Sequence, residues 1–338
     1  MTKSIAVLIP LTLIAACAAL TETSMTKETK ALKHNPLLQE WDTPFGVPPF
    51  ESITTDHYMP AFKASIKEAR AEVDAIVNNP DAPTFANTIE DLENVGRTLD
   101  RVENVFYSLT DLLADEQMQA IAREVSPLRS EFYDDINLNA ELFQRVKAVY
   151  EMKDQLDLNT EQQTLLRKTW EDFVRGGANL ADDQKERFRE INKELSLLSL
   201  QFNDNVLAEN NRYELVIDNE ADLAGLPDNV ITAAAETATE RGHEGKWVFT
   251  ILKPSMIPFL TNSERRDLRQ QIFTAYITKG NHGDEYDNNE IARKMVALRV
   301  ERANLLGFPT HGDYVVDVNM AKTPQAVYDL LDQLWTPA

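Results

Sequence analysis

Phe62, Ile66, Ala69, Val73 and Ile76 recur at alternating steps of four and three, which lines them along one face of a helix that Asn79-Pro80 ends. A second stripe runs through Ile89, Leu92, Leu99, Val102, Phe106, Leu109 and Leu113, and a third through Met118, Ile121 and Val125, with Pro127 expected to break or kink it. Leu142, Val146, Val149 and Tyr150 mark another helix. Thr160 with Gln163 reads as a capping box opening the helix that holds Leu166, Trp170 and Phe173, and Gly176-Gly177 stops it. The longest pattern is Phe188, Ile191, Leu195, Leu198, Phe202 and Val206, with charged residues opposite, so this helix should pack lengthwise against a neighbour. Leu268 and Ile272 mark one later helix, and Ile291, Met295, Leu298 and Leu305 another that Gly307 closes.

Strand periodicity is confined to two short runs. RYELVI alternates Tyr213, Leu215 and Ile217, and KWVFTIL alternates Trp247, Phe249 and Ile251, with a helix from about Asn229 to Arg241 between them. The expected fold class is therefore mainly α, with many helices and one small β pair. Ahead of the first helix, NPLLQEWDTPFGVPPFESI is dense in proline and aromatics and reads as an extended arm laid on the domain surface. At the other end Thr323 and Pro324 suit an N-cap and a first helical turn, and Val327, Leu330, Leu331 and Leu334 begin a stripe that runs into Trp335-Thr336-Pro337-Ala338 with no glycine stop and no polar tail.

Composition narrows the partners. The chain has 338 residues with 43% apolar content, enough for one large core or two smaller ones. Its formal net charge of −21 repels phosphate backbones and anionic lipid, so no nucleic acid is expected as a partner. The single cysteine changes the picture more. Lys3 supplies a short positive region, Ile5 to Ile14 an apolar one too short to span a bilayer, and Ala15-Ala16 small residues directly before Cys17. Together they resemble the lipobox of bacterial lipoproteins, in which such a cysteine becomes the lipidated first residue. Residues 1–16 are then a lipoprotein signal peptide, the polar Thr/Lys-rich residues 17–34 a tether, and residues 35–338 the folded region. That arrangement places the protein in the cell envelope, lipid-anchored and facing the periplasm. With no second cysteine, no intramolecular disulfide can form.

No catalytic residue and no metal ligand can be assigned from the sequence. A phosphate-cradling G-x-x-x-x-G-K-[ST] loop, a G-x-G-x-x-G turn and a G-x-S-x-G elbow are all missing. His34, His57, His243, His282 and His311 are scattered, with no two at the three-to-five-residue spacing that lets helical ligands share a metal. His243-Glu244 is followed by Trp247 where a second histidine would be needed, and Gly242 and Gly245 break the helix; a histidine at a helix C-terminus is the better reading. DEYDNNE, Asp284 to Glu290, lacks the alternate acidic spacing and central glycine of a calcium loop, and reads as a solvated cap for the next helix.

Six stretches carry a resemblance: NPLLQEWDTPFGVPPFESITTDHYMPAF, NTIEDLE, EFYDDINLNAELFQRVKAVY, VRGGANL, INKELSLLSLQFNDNVL and RANLLGFPTHGDYVVDVNMAKTP. In this order they are similar to the amino-terminal half of bacterial peptidyl-dipeptidases, the dipeptidyl carboxypeptidases of the thimet-oligopeptidase family of zinc metallopeptidases. The resemblance runs from about Asn35 to the last residue. It implies the helical amino-terminal lobe of a two-lobed oligopeptidase with a deep channel, in which zinc drives the release of dipeptides from the C-termini of short peptides. In that family the zinc ligands and base come from an H-E-x-x-H helix and a later glutamate in the carboxy-terminal half, and none of these residues is present here. MAKTPQAVYDLLDQLW matches an internal helix, so the chain is expected to stop before the catalytic zinc domain, to bind no zinc itself and to be inactive alone. The other reading kept open is a lipid-anchored, non-enzymatic helical module that binds peptides or serves as a scaffold.

Overall fold

The computed structural model describes residues 32–113 and 115–338. The signal peptide read at residues 1–16, Cys17 and most of the tether lie outside the described residues. The chain forms two compact units, one ending at Ala181 and the other starting at Asp182. The described residues are mainly helical, with one two-stranded sheet.

The first unit opens with the proline-rich arm. Instead of running extended, it folds into short 3-10 turns at Pro36–Leu38, Pro44–Gly46, Phe50–Ser52 and Thr55–His57. Prolines at the first positions of the turns pre-set φ for such geometry, and fully buried Leu37 pins the arm to the body. Helix α1 (Tyr58–Val77) then buries the whole stripe read from the sequence, Phe62, Ile66, Ala69, Val73 and Ile76. The stripe from Ile89 to Leu113 is not one helix. A π-helical turn at Phe85–Glu90 and a single turn at Asp91–Glu93 precede α2 (Arg97–Leu113), and Gly96 at φ +79° makes the break, a left-handed conformation that L side chains resist.

Pro127 breaks nothing: α3 (Glu116–Asn137) runs through it. The cost of the missing donor is outweighed by a second half-stripe that buries Phe132 and half-buries Ile136. Helices α4 (Ala140–Glu151) and α5 (Thr160–Arg175) complete the unit, with Leu142, Val146, Val149, Leu166 and Phe173 packed against Val73 and Ile76 in one cluster. The cap of α5 sits one residue earlier than the sequence reading. Asn159 accepts from the Gln162 amide at 2.9 Å and Gln162 returns a bond to the Asn159 amide at 3.1 Å, which places Thr160 inside the helix. Asn is the stronger N-cap of the two because its side-chain carbonyl reaches that amide well.

In the second unit α6 (Asp182–Arg212) buries Phe188, Ile191, Leu195 and Leu198 and lies along α10 (Asn289–Leu305), meeting Ile291 and Leu298. Strands β1 (Leu215–Ile217) and β2 (Trp247–Phe249) pair antiparallel, with Leu215 opposite Phe249 and Ile217 opposite Trp247. Between them α7 (Asp228–Glu240) covers the sheet. It ends in a Schellman turn: Gly242 takes φ +80°, its amide bonds the Thr239 carbonyl, and the His243 amide bonds the Ala238 carbonyl at 2.7 Å.

Helix α8 (Lys253–Asn262) has no counterpart in the sequence reading, because Pro254 and Pro258 argue against helix. Pro254 lies in the first turn, where its missing donor costs nothing, and Phe259 packs, tilted, with its ring centroid 4.5 Å from that of Phe249 in the sheet core, which offsets Pro258. Helix α9 (Arg266–Ile277) adds Ile272 to the same core. The short α11 (His311–Val316), also not expected from the sequence, and α12 (Pro324–Trp335) finish the chain. The start of α12 is as read: the Thr323 hydroxyl accepts from the Ala326 amide at 3.2 Å and Pro324 fills the first turn.

Candidate functional site

The five histidines are placed apart. His34 is exposed, and His57 accepts the Thr54 amide at 2.9 Å in a capping box. His243 Nε2 lies 2.8 Å from Glu214, which also takes Arg241 at 3.0 Å; the two hydrogen bonds, the Arg241 one first, hold the Glu214 carboxyl below its usual range. His243 therefore follows α7 in the Schellman turn and is tied to a carboxylate. His282 Nε2 is 3.1 Å from the buried Glu209, whose carboxylate also pairs with Arg212. His311 stacks beside Tyr314, and burial, with Arg299 and Arg302 nearby, pushes its imidazole below the ordinary value. Among the described residues no three His, Cys, Asp or Glu side chains gather as a metal site. Each glutamate beside a histidine is also bound to an arginine, a cation that works against a metal ion in the same place.

The acidic run closes on itself. Asp287 accepts the Gly283 and Asn289 amides at 2.8 Å each, and Asp284 accepts the Tyr286 amide at 3.0 Å. These bonds hold both carboxyls below their usual range, together with the Arg212 partner that dominates for Asp284. The start of α10 is thus capped by Asp287 rather than by Asn288, whose side chain turns inward to Asn205 and the Phe202 carbonyl.

Binding surface, rather than a chemical centre, is what the residues offer. On α12, Tyr328, Leu330, Leu331, Leu334 and Trp335 are all more than half exposed, and only Val327 of the expected stripe is half-buried. Met320, just before, is 99% exposed. Apolar side chains clustered this way form an exposed patch of the kind found at interaction surfaces. In the first unit a cleft of about 640 Å³ opens between the arm and α2. Beside it the buried Glu103 pairs at 2.6 Å with the partly exposed Arg129, whose guanidinium lies over the rings of Tyr107 and Tyr133 at 5.4 and 5.2 Å. Burial pushes the Glu103 carboxyl above its ordinary value, against the pull of Arg129.

Sequence reasoning named α12 for its pattern and missed the cleft altogether. The signal for it was available in Arg97, Arg101, Asn104 and Ser108, which fall on one helical face of the second stripe, but only the folded arm supplies the facing wall.

Residues 259–337 match the model of the family described as peptidase family M3. The chain is 36% identical to the dipeptidyl carboxypeptidase of Escherichia coli over 300 residues, 89% of this chain and 44% of that protein. It is 36% identical to the dipeptidyl carboxypeptidase of Salmonella typhimurium over 304 residues, covering 90% and 45%. With oligopeptidase A of Haemophilus influenzae it shares 31% over 293 residues, covering 86% and 43%. The chain thus spans less than half the length of these curated relatives. The matched family segment runs from Phe259 in the sheet core through the exposed stripe of α12. Along nearly its whole folded length, the chain is similar to the amino-terminal part of the bacterial dipeptidyl carboxypeptidases of peptidase family M3.

Proposed function

We propose that this chain supplies one wall of the peptide channel of a zinc peptidyl-dipeptidase that releases dipeptides from the C-termini of short peptides. The observation that carries the reading is the 36% identity held over 89% of the chain to a dipeptidyl carboxypeptidase. The wet apolar stripe on α12 supports it, since that helix belongs to the segment matched by the family and presents a face suited to burial against a further part of such an enzyme. Zinc is the metal of that chemistry, where it activates a water. The described residues of this chain do not fit a zinc site, because His243 and His282 are each engaged with a glutamate that an arginine already holds. The part assigned to this chain is therefore to bind and orient the peptide and to exclude water. Cys17, by its lipobox-like setting, is proposed to carry the lipid that holds the protein in the cell envelope.

The test mixes the full chain with the separately made carboxy-terminal part of the E. coli relative and measures dipeptide release from a reporter peptide. Chelator-sensitive release by the pair, with neither release nor stoichiometric zinc in this chain alone, is the expected result. A folded but inert pair would favour the non-enzymatic scaffold instead, and peptidase activity in the chain alone would overturn the division of labour. For the anchor, Cys17→Ser should abolish lipid labelling and release the protein from the membrane fraction; unchanged labelling would refute it.

A further inference from the structure

We infer that the cleft between the arm and α2 is a binding site for a small organic monocarboxylate with an apolar body, a site independent of the peptidase reading. Its size, about 640 Å³, falls in the range of small-molecule pockets. The arm contributes Trp41, Pro48 and Phe50 as an apolar wall, and α2 contributes Arg97, Arg101 and Asn104 from one face. The wall is pre-formed. Leu37 is fully buried, the Trp41 indole N–H donates to the Pro36 carbonyl at 2.9 Å, and the Thr43 hydroxyl closes the next turn onto the Val47 carbonyl. Phe50 nevertheless stays 49% exposed, so its ring has room for a guest.

Charge decides which guest. The protein as a whole carries −21, yet this cleft has two guanidiniums against the single carboxylate of Asp100, a local excess of one positive charge. Arg101 lies over the Trp41 ring at 5.1 Å, and its buried Nε has no hydrogen-bond partner among the described residues. A guanidinium lying over an indole face with part of its surface removed from water is pre-oriented, which favours a carboxylate that it can meet through its remaining N–H groups over a hydrated ion. The local excess of one charge matches a monoanion, and the apolar wall takes the hydrocarbon body. Asn104 adds an amide at the exposed rim that can fix the carboxylate's second oxygen.

Calorimetric titration of the full 338-residue chain with 4-phenylbutyrate, and separately with its uncharged amide, tests the assignment. The acid should bind about tenfold more tightly than the amide. Arg101→Met should remove that preference. Since loss of the Arg101–Trp41 contact could loosen the arm, Ser108→Trp, at an exposed position on the rim, gives a second reading by filling the cleft, and should abolish binding of both compounds while leaving the helical spectrum unchanged. Equal affinity for acid and amide, no binding of either, or binding that Ser108→Trp leaves intact would each overturn the site. None of these outcomes depends on peptidase activity.

Discussion

Helices α1 and α12 carry the same kind of apolar stripe and meet opposite fates. On α1, Phe62 and Tyr58 are buried edge-to-face against Phe106 of α2, with ring centroids 5.2 and 5.0 Å apart. On α12, Leu331 and Leu334 are 51% and 59% exposed, and the helix touches its own unit mainly through α11. Periodicity of 3.6 residues reports that a helix has a face to bury, and is silent on what buries it. The partner has to come from elsewhere in the fold, as for α1, or from matter outside the described residues, as the peptidase reading holds for α12.

The largest effect should fall where the stripe is closed. Phe106→Ala removes a fully buried ring that meets Tyr58, Phe62 and Tyr107, and large-to-small changes of this type cost about 3–5 kcal/mol. Urea denaturation should show the first unit's transition shifted by that amount. A shift under about 1 kcal/mol would mean that the ring's site collapses freely, as a loosely packed region does, and the contrast with α12 would vanish.

The same contrast separates what could be read from the sequence from what could not. Stripes that meet a packed partner, those of α1, α4 and the first half of α6, were legible because burial and helix period coincide there; beyond Leu198 the buried positions of α6 pass to Asn205 and Glu209, while Phe202 and Val206 stay half-buried. The β pair was legible too, since Leu215 and Ile217 face the core while Val216 faces out. Errors arose where one local device outweighed another. Gly96 cut a stripe that looked continuous, Pro127 failed to cut one, and α8 formed despite two prolines because Phe259 reaches the sheet core. The capping box slipped by one residue because Asn159 and Thr160 are both competent caps and only the backbone chooses between them. One wall of the cleft left a pattern on α2, but the cleft itself could not be read, since its two walls are separated by some fifty residues of sequence and meet only after the arm folds.

A smaller effect probes the polar pair that ties α2 to α3. Glu103 is buried and faces Arg129 and Tyr133 from α3, with Asp100 and Tyr107 on its own helix. Burial raises its folded pKa above the ordinary value, so between the two the folded state binds more protons than the unfolded one, and stability falls as pH rises through that window. Below the ordinary value the penalty is absent, and above the raised one it is complete. Tyr107 and Tyr133, raised chiefly by burial, act with the same sign in the alkaline range. Glu103→Gln should flatten the fall in urea midpoint that accompanies rising pH above the ordinary carboxyl value. An undiminished decline in the variant would assign it to other groups.

The smallest effect on folding belongs to α12, and its smallness is the point. Leu331→Gln replaces a half-wet leucine by a residue of nearly equal helix propensity, and substitutions at such surface positions stay within about 0.5 kcal/mol. The urea midpoint of the chain should not move. If the stripe is the face on which the catalytic part of a peptidyl-dipeptidase packs, the same substitution should weaken the mixed pair described above, lowering dipeptide release several-fold at fixed concentrations of the two parts, because the leucine would then leave water only in the assembly. A variant that destabilises the lone chain by more than about 1 kcal/mol would show that α12 is already packed in solution. One that leaves both measurements untouched would remove the stripe from the proposed contact and leave the sequence similarity to carry the reading alone.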